Sequence, residues 1–152
     1  MIIIVQRYNF PGIVGAIDCT HVAIIAPSEN DHNRPAIAYY NRKDYYSLNV
    51  QMICDDNLRI LNCNVRFPGS VHDSAIWLLS AVRRHLLQKF TRNELDSSWL
   101  IGDSGYGLQP WLLTPIENAN PDSPEGRYTA QHIAARNNIE RCFGVLKQRF
   151  RC

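Results

Sequence analysis

Four carboxylates occupy positions where an acid needs a reason. Asp18 lies inside IVGAIDCTHVAII (13–25), between Ile17 and Cys19. Asp73 begins a helical pattern in GSVHDSAIW, Asp103 closes the apolar run WLIGD, and Glu140 sits in ARNNIERCFGVLKQRF. Burying a charge among Ile and Val without a partner costs several kcal/mol. Two carboxylates about 4 Å apart repel by about 4 kcal/mol at an effective dielectric of about 20, so a cluster of them calls for cations. Ligands that are all oxygen select hard cations, Mg2+ or Mn2+. A pair of such ions about 3.5–4 Å apart flanks a phosphoryl oxygen and activates a water or a 3′-hydroxyl. Each acid also has an ordinary reading. Asp18 could be a strand aspartate answered by His21, and Asp73 a helix N-cap. Asp103 could be a turn residue, and Glu140 could pair with Arg136 at i−4.

Positive charge supplies the hint of a substrate. Between Arg136 and Arg151 stand Arg136, Arg141, Lys147, Arg149 and Arg151 against one acid, Glu140. YYNRKDYY (39–46) sets Arg42 and Lys43 among four tyrosines. Basic residues interleaved with aromatics suit a nucleic-acid groove and make Arg42, Lys43, Arg136, Lys147 and Arg149 candidate DNA contacts. A solvated helix face and tyrosines that merely pack are the competing explanations. The whole chain carries a net charge of only +2, so any such surface must come from local clustering.

The elements that position these residues follow from periodicity. IVGAIDCTHVAII (13–25) predicts a first, well-buried strand, and residues 27–38 a loop. YYSLNVQMICD (45–55) predicts a second strand, with Leu48, Val50 and Met52 alternating against Asn49 and Gln51. LRILNCNVRF (58–67) predicts a third, in a hairpin with the second. After Pro68-Gly69 the period changes to 3.6, with Ala75, Ile76, Leu79, Val82 and Leu86 on one face of a helix over about 73–88 that Asp73 or Ser70 would cap. SSWLIGD (97–103) predicts a fourth strand, WLLTPI (111–116) a short fifth, and 117–127 a mobile loop. From about 128 onward Ile139, Cys142, Phe143, Leu146 and Phe150 keep helical spacing. Three antiparallel strands, a helix, a strand, a short strand and a long C-terminal helix is the order of an α/β ribonuclease H-like mixed sheet. There the first and fourth strands are neighbours, which would set Asp18 beside Asp103, and a helix on the sheet could deliver Glu140.

The 152 residues, 45% hydrophobic and 20% charged, predict one folded domain over 1–152. Five cysteines, an odd number with no C-x-x-C pair, argue for free thiols rather than a disulfide framework or a zinc site. The apolar start MIIIVQRYNF is short for a signal peptide, and no run reaches the ~18 residues of a membrane helix, so a soluble intracellular protein without a membrane partner is expected.

FPGIVGAIDCTHVAI, YYNRKDYYSLNVQMICD, FPGSVHDSAIW, GDSGYGLQPWLLTP and HIAARNNIERCFGVLKQRFRC occur in this order. Together they closely resemble the catalytic domain of the PIF/Harbinger transposase superfamily and its domesticated nucleases, from about residue 10 to the end. The resemblance implies a nuclear, divalent-metal-dependent Asp-Asp-Glu endonuclease acting on DNA. Asp18, Asp103 and Glu140 match the catalytic acids, and His72-Asp73 matches a histidine-aspartate pair that adds Asp73 to the metal ligands. Transposons of this group rely on a separate DNA-binding module or partner protein, and no such module precedes residue 10. The family domain continues past RFRC, so a fragment, a truncated gene copy or an incomplete gene model is expected. The alternative is a domesticated, non-cleaving protein that binds DNA or a partner. GDSG (102–105) resembles the nucleophile segment of chymotrypsin-like proteases, but the chain is too short for that double barrel and lacks the surrounding pattern.

Overall fold

The structure is a computed structural model that describes residues 10–28 and 34–150. The apolar start, part of the loop after the first strand, and Arg151 and Cys152 lie outside the described residues. The chain runs β1 (Ile13–Ala23), α1 (Ala36–Tyr39), β2 (Ser47–Cys54), β3 (Ile60–Pro68), α2 (Asp73–Leu79), α3 (Ala81–Thr91), β4 (Trp99–Ile101), β5 (Leu112–Leu113) and α4 (Pro124–Phe150). One mixed sheet takes the order β3-β2-β1-β4-β5. β1 is antiparallel to β2 and parallel to β4, β2 is antiparallel to β3, and β4 is parallel to β5. This is the expected ribonuclease H-like arrangement, with the long C-terminal helix in place.

Each face of the sheet carries its own core. Ala16, Val50, Met52 and Ile101 pack with Ala135, Ile139, Cys142 and Phe143 of α4. Ile17, Ile53 and Leu100 pack with Trp77 of α2 and with Tyr106, Trp111 and Leu112. Alternation along β1 therefore turns Asp18 to the α4 face, with Ala16, and turns Cys19 and His21 to the α2 face, with Ile17.

Several expectations are corrected. The single helix over 73–88 is two helices, because Ser80 is extended (φ −70°, ψ 145°) and caps α3 by accepting from Arg83 N at 3.1 Å. The break changes the helical phase, so Leu79 is 66% exposed while Trp77 is buried. Neither Asp73 nor Ser70 caps α2. His72 holds that position without a side-chain bond. Asn49 and Gln51 are not on a wet face but 2% exposed each, since α2 covers the side of β2 that alternation assigns to water. Part of the 27–38 loop is α1. The last helix begins at Pro124, with Pro in the first turn and Ser123 Oγ accepting from Gly126 N at 3.1 Å. Phe150, expected in the core, is 71% exposed.

One irregularity matters for the site. β1 and β4 pair Ile13 with Trp99, but then Gly15 with Leu100 and Ala16 with Ile101. The extra residue on β1 shifts the ladder by one. The last pair, Ala16 with Ile101, stands two residues before Asp18 on β1 and two before Asp103 beyond the end of β4, so the two acids lie at the same end of the β1–β4 pair.

Candidate functional site

Asp18, on β1, and Asp103, two residues past the end of the parallel neighbour β4, reach one neighbourhood. Asp18 Oδ1 accepts from Cys19 N at 2.8 Å. Its Oδ2 accepts from Arg136 Nη1 at 3.0 Å, and Arg136 Nη2 bonds Glu140 Oε1 at 3.0 Å. One guanidinium from α4 thus ties together the β1 aspartate and the helix glutamate. The i−4 pairing foreseen for Glu140 is present, while His21 does not answer Asp18. Glu140 is otherwise open, its side chain 56% exposed, whereas Arg136 and Asp18 are largely enclosed.

Burial raises the Asp18 carboxyl to about 6. The Cys19 N–H and Arg136 oppose the rise, and the negative Asp103 and Asp73 add to it. Desolvation outweighs both stabilising partners. Asp103 and Asp73 are therefore near enough to Asp18 for their charges to be felt, which the sequence pattern anticipates.

Asp103 combines two of its readings. Its Oδ1 accepts from Gly105 N at 3.0 Å, so it shapes the turn after β4, and it also lines a cleft of about 260 Å3. Asp73 faces the same cleft from the first turn of α2, held by Asn49 Nδ2, which donates 2.8 Å bonds to Asp73 Oδ1 and to the Val71 carbonyl. Asp73 approaches from the α2 side of the sheet and Asp18 from the α4 side. Among the described residues no three His, Cys, Asp or Glu side chains are gathered closely enough to hold one ion. The donor set is all oxygen and suits a hard divalent cation. Asp103 lies near enough to raise the Asp18 carboxyl, while Arg136 occupies one oxygen each of Asp18 and Glu140.

The basic candidates divide. Arg42 and Lys43 are exposed in the turn before β2. Together with Lys147 of α4 they press the same neighbour, His21, toward its neutral form, although burial is the larger cause. Arg136 is committed to the acids. Arg149 is exposed in the last turn of α4, about 200° around the helix from Lys147.

Sequence reasoning missed the polar scaffold beneath these groups. Asn41, Ser47 and Asn49 are buried polar residues, and Asn41 Nδ2 donates to Ser47 Oγ at 2.7 Å. A Cβ at Gly69 would press on the Ser47 hydroxyl and on the Tyr39 carbonyl oxygen, which explains the glycine after Pro68. Cys19 Sγ meets Tyr106 OH at 3.5 Å, and burial drives both groups well above their ordinary pKa values. Polar residues spaced by two along β2 were the available signal, hidden by the assumption that this side is wet.

Residues 17–152 match the model of a family described as DDE superfamily endonuclease. The human protein named "Putative nuclease HARBI1" is 39% identical over 145 residues, covering 95% of this chain and 38% of the relative. The Xenopus laevis protein of that name is 34% identical over 151 residues, covering 97% and 40%. The Arabidopsis thaliana "Protein ALP1-like" is 27% identical over 152 residues, covering 94% and 37%. The chain thus spans well under half the length of these relatives. No solved structure matches.

Proposed function

Because the chain belongs to the DDE superfamily endonuclease family, we propose that it is a catalytic domain that hydrolyses phosphodiester bonds in DNA with a divalent cation, Mg2+ or Mn2+. The observation that supports this reading is that Asp103 stands near enough to Asp18 to raise its carboxyl, while Arg136 bonds both Asp18 and Glu140. Asp18 and Asp103 would hold the ion, with Asp73 at the cleft as a further ligand. The bound ion would supply charge neutralisation at the phosphate and a water of lowered pKa. The chain's own residues do the rest. The β1 ladder fixes Asp18, the turn after β4 holds Asp103 through Gly105 N, α4 carries Glu140, and Arg136 keeps Asp18 and Glu140 together. Arg42, Lys43 and Lys147 attract the DNA backbone, while Arg149 extends that charge along α4. Target choice would fall to a separate DNA-binding partner protein.

The experiment is a plasmid-nicking assay in Mg2+ and in Mn2+ with the wild type, Asp18→Asn and Glu140→Gln. Metal-dependent nicking lost in both variants supports the reading, and nicking unaffected by either sinks it. A second reading, a non-cleaving DNA- or partner-binding domain, is favoured by one observation: Arg136 already occupies Asp18 and Glu140. Metal-independent DNA binding without nicking would establish it.

A further inference from the structure

The cleft beside Asp73 and Asp103 has a second wall, and that wall is built from donors. His21 of β1 lines it together with Arg42 and the 69–74 segment. The protonation of His21 can be read from a chain of hydrogen bonds. Lys43 N donates to Asn41 Oδ1 at 2.7 Å, which fixes the amide so that Nδ2 faces Ser47. Asn41 Nδ2 donates to Ser47 Oγ at 2.7 Å, and Ser47 Oγ lies 3.0 Å from His21 Nδ1. Ser47 is fully buried, so its hydroxyl proton needs an acceptor, and His21 Nδ1 is the acceptor within reach. With Ser47 as the donor of this bond, Nδ1 is bare and the ring proton is assigned to Nε2. The Tyr45 ring, edge-on with centroids 6.3 Å apart, steadies the imidazole.

The turn that orients Asn41 also carries Arg42. It is closed by Asp44 N to Asn41 O at 3.1 Å and Asn41 N to Tyr45 O at 3.0 Å. His21 and Arg42 thus line the same cleft as Asp73 and Asp103. The charges around His21 are Asp73 on α2, Arg42 and Lys43 on the turn, and Lys147 on α4. A ligand for this cleft must accept hydrogen bonds and carry negative charge on one side, and tolerate cation-bearing carboxylates on the other.

We propose that His21 Nε2–H and Arg42 form a seat for one phosphodiester of the DNA strand, beside the acids. The seat rests on the DNA-nuclease reading and adds to it a neutral, orienting contact. His21 positions the backbone and takes no proton from it. Such a donor binds without releasing a counterion, so it adds affinity without salt dependence, whereas Arg42 adds both.

The test is fluorescence anisotropy of a labelled DNA duplex with the full chain, titrated with salt in the absence of divalent metal. His21→Phe keeps the aromatic contact and removes the donor, and it should weaken binding about tenfold with the salt slope unchanged. His21→Gln, whose amide can stand where Nε2–H stood, should stay near wild type. Arg42→Gln should lower the slope by about 0.9. If His21→Phe binds as wild type does, or if His21→Gln is equally weak, the seat is overturned while the nuclease reading stands. If His21→Phe fails to fold by thermal melt, His21→Gln decides together with wild-type binding to duplexes carrying single methylphosphonates: a Gln variant near wild type and one position of sharp affinity loss support the seat, and either result missing overturns it. A wild-type chain that binds no DNA overturns both.

Discussion

Arg136 Nη1 and Asp18 Oδ2 lie 3.0 Å apart although 118 positions separate the residues in the chain. The same guanidinium holds Glu140 at 3.0 Å. A protein cation therefore sits where the acids would otherwise repel, and a divalent ion has to compete with it. Arg136→Gln is expected to lower stability without metal by about 1–3 kcal/mol and to tighten Mn2+ binding severalfold. Calorimetric Mn2+ titration and thermal melts in chelator check both. Weaker Mn2+ binding by the variant would show that Arg136 supports the ion site instead of competing for it.

Asp18 makes stability depend on pH in an unusual direction. Burial holds its carboxyl at about 6 in the folded chain, above the ordinary 3.8. Between those values the folded chain keeps a proton that the unfolded chain releases. Stability should thus fall as pH rises through this window and level off above it, by on the order of 3 kcal/mol. Denaturant melts at about pH 4 and about pH 7 should show this fall in wild type and a smaller one in Asp18→Asn. Mg2+ should restore stability at the higher pH in wild type alone. Equal pH dependence in the two proteins would show that Asp18 is not strained.

Asp73 starts α2 without capping it, and Asn49 grips its carboxylate. Asp73→Asn should cut metal-dependent nicking at least tenfold while the melting temperature moves by no more than about 2–4 °C. Full nicking by the variant would return Asp73 to a purely structural place.

Glu140 and Lys147 share α4 but should fail differently. Glu140→Gln is expected to abolish nicking and leave DNA binding intact. Lys147→Ala is expected to weaken DNA binding with little sequence preference and to lower the salt slope by about 0.9. A nicking assay beside a salt titration separates them, and wild-type nicking by Glu140→Gln would reduce that residue to an ion-pair partner of Arg136.

How much of this could be read from the sequence depends on the kind of interaction. The strand order, and Asp18 beside Asp103, follow from hydrophobic period and element order, which are local signals. The break at Ser80 did not show, because Ala75 to Leu86 keep a helical period across it, and only the Ser80 cap reveals two helices. Asn49 and Gln51 looked wet because alternation says which residues share a face, not what covers that face. The partnership of Arg136 with Asp18 was out of reach for a different reason. It joins a strand to a helix across most of the chain, and only the packing of α4 on the sheet sets the distance.

The shifted pairing after Ile13 works as an expansion joint. From Ala16 to Ala23, β1 runs against β2 without interruption, Ala16 opposite Cys54 and Asp18 opposite Met52. The slack is all taken up near Val14. The facing of Asp18 is thus set by the hairpin that follows it and is insulated from whatever length of chain precedes it. Residues gained or lost ahead of the joint can be absorbed there. A single residue lost between Asp18 and Ala23, on the hairpin side, would instead rotate the carboxylate into the Trp77 and Tyr106 layer and leave Arg136 facing Ile17.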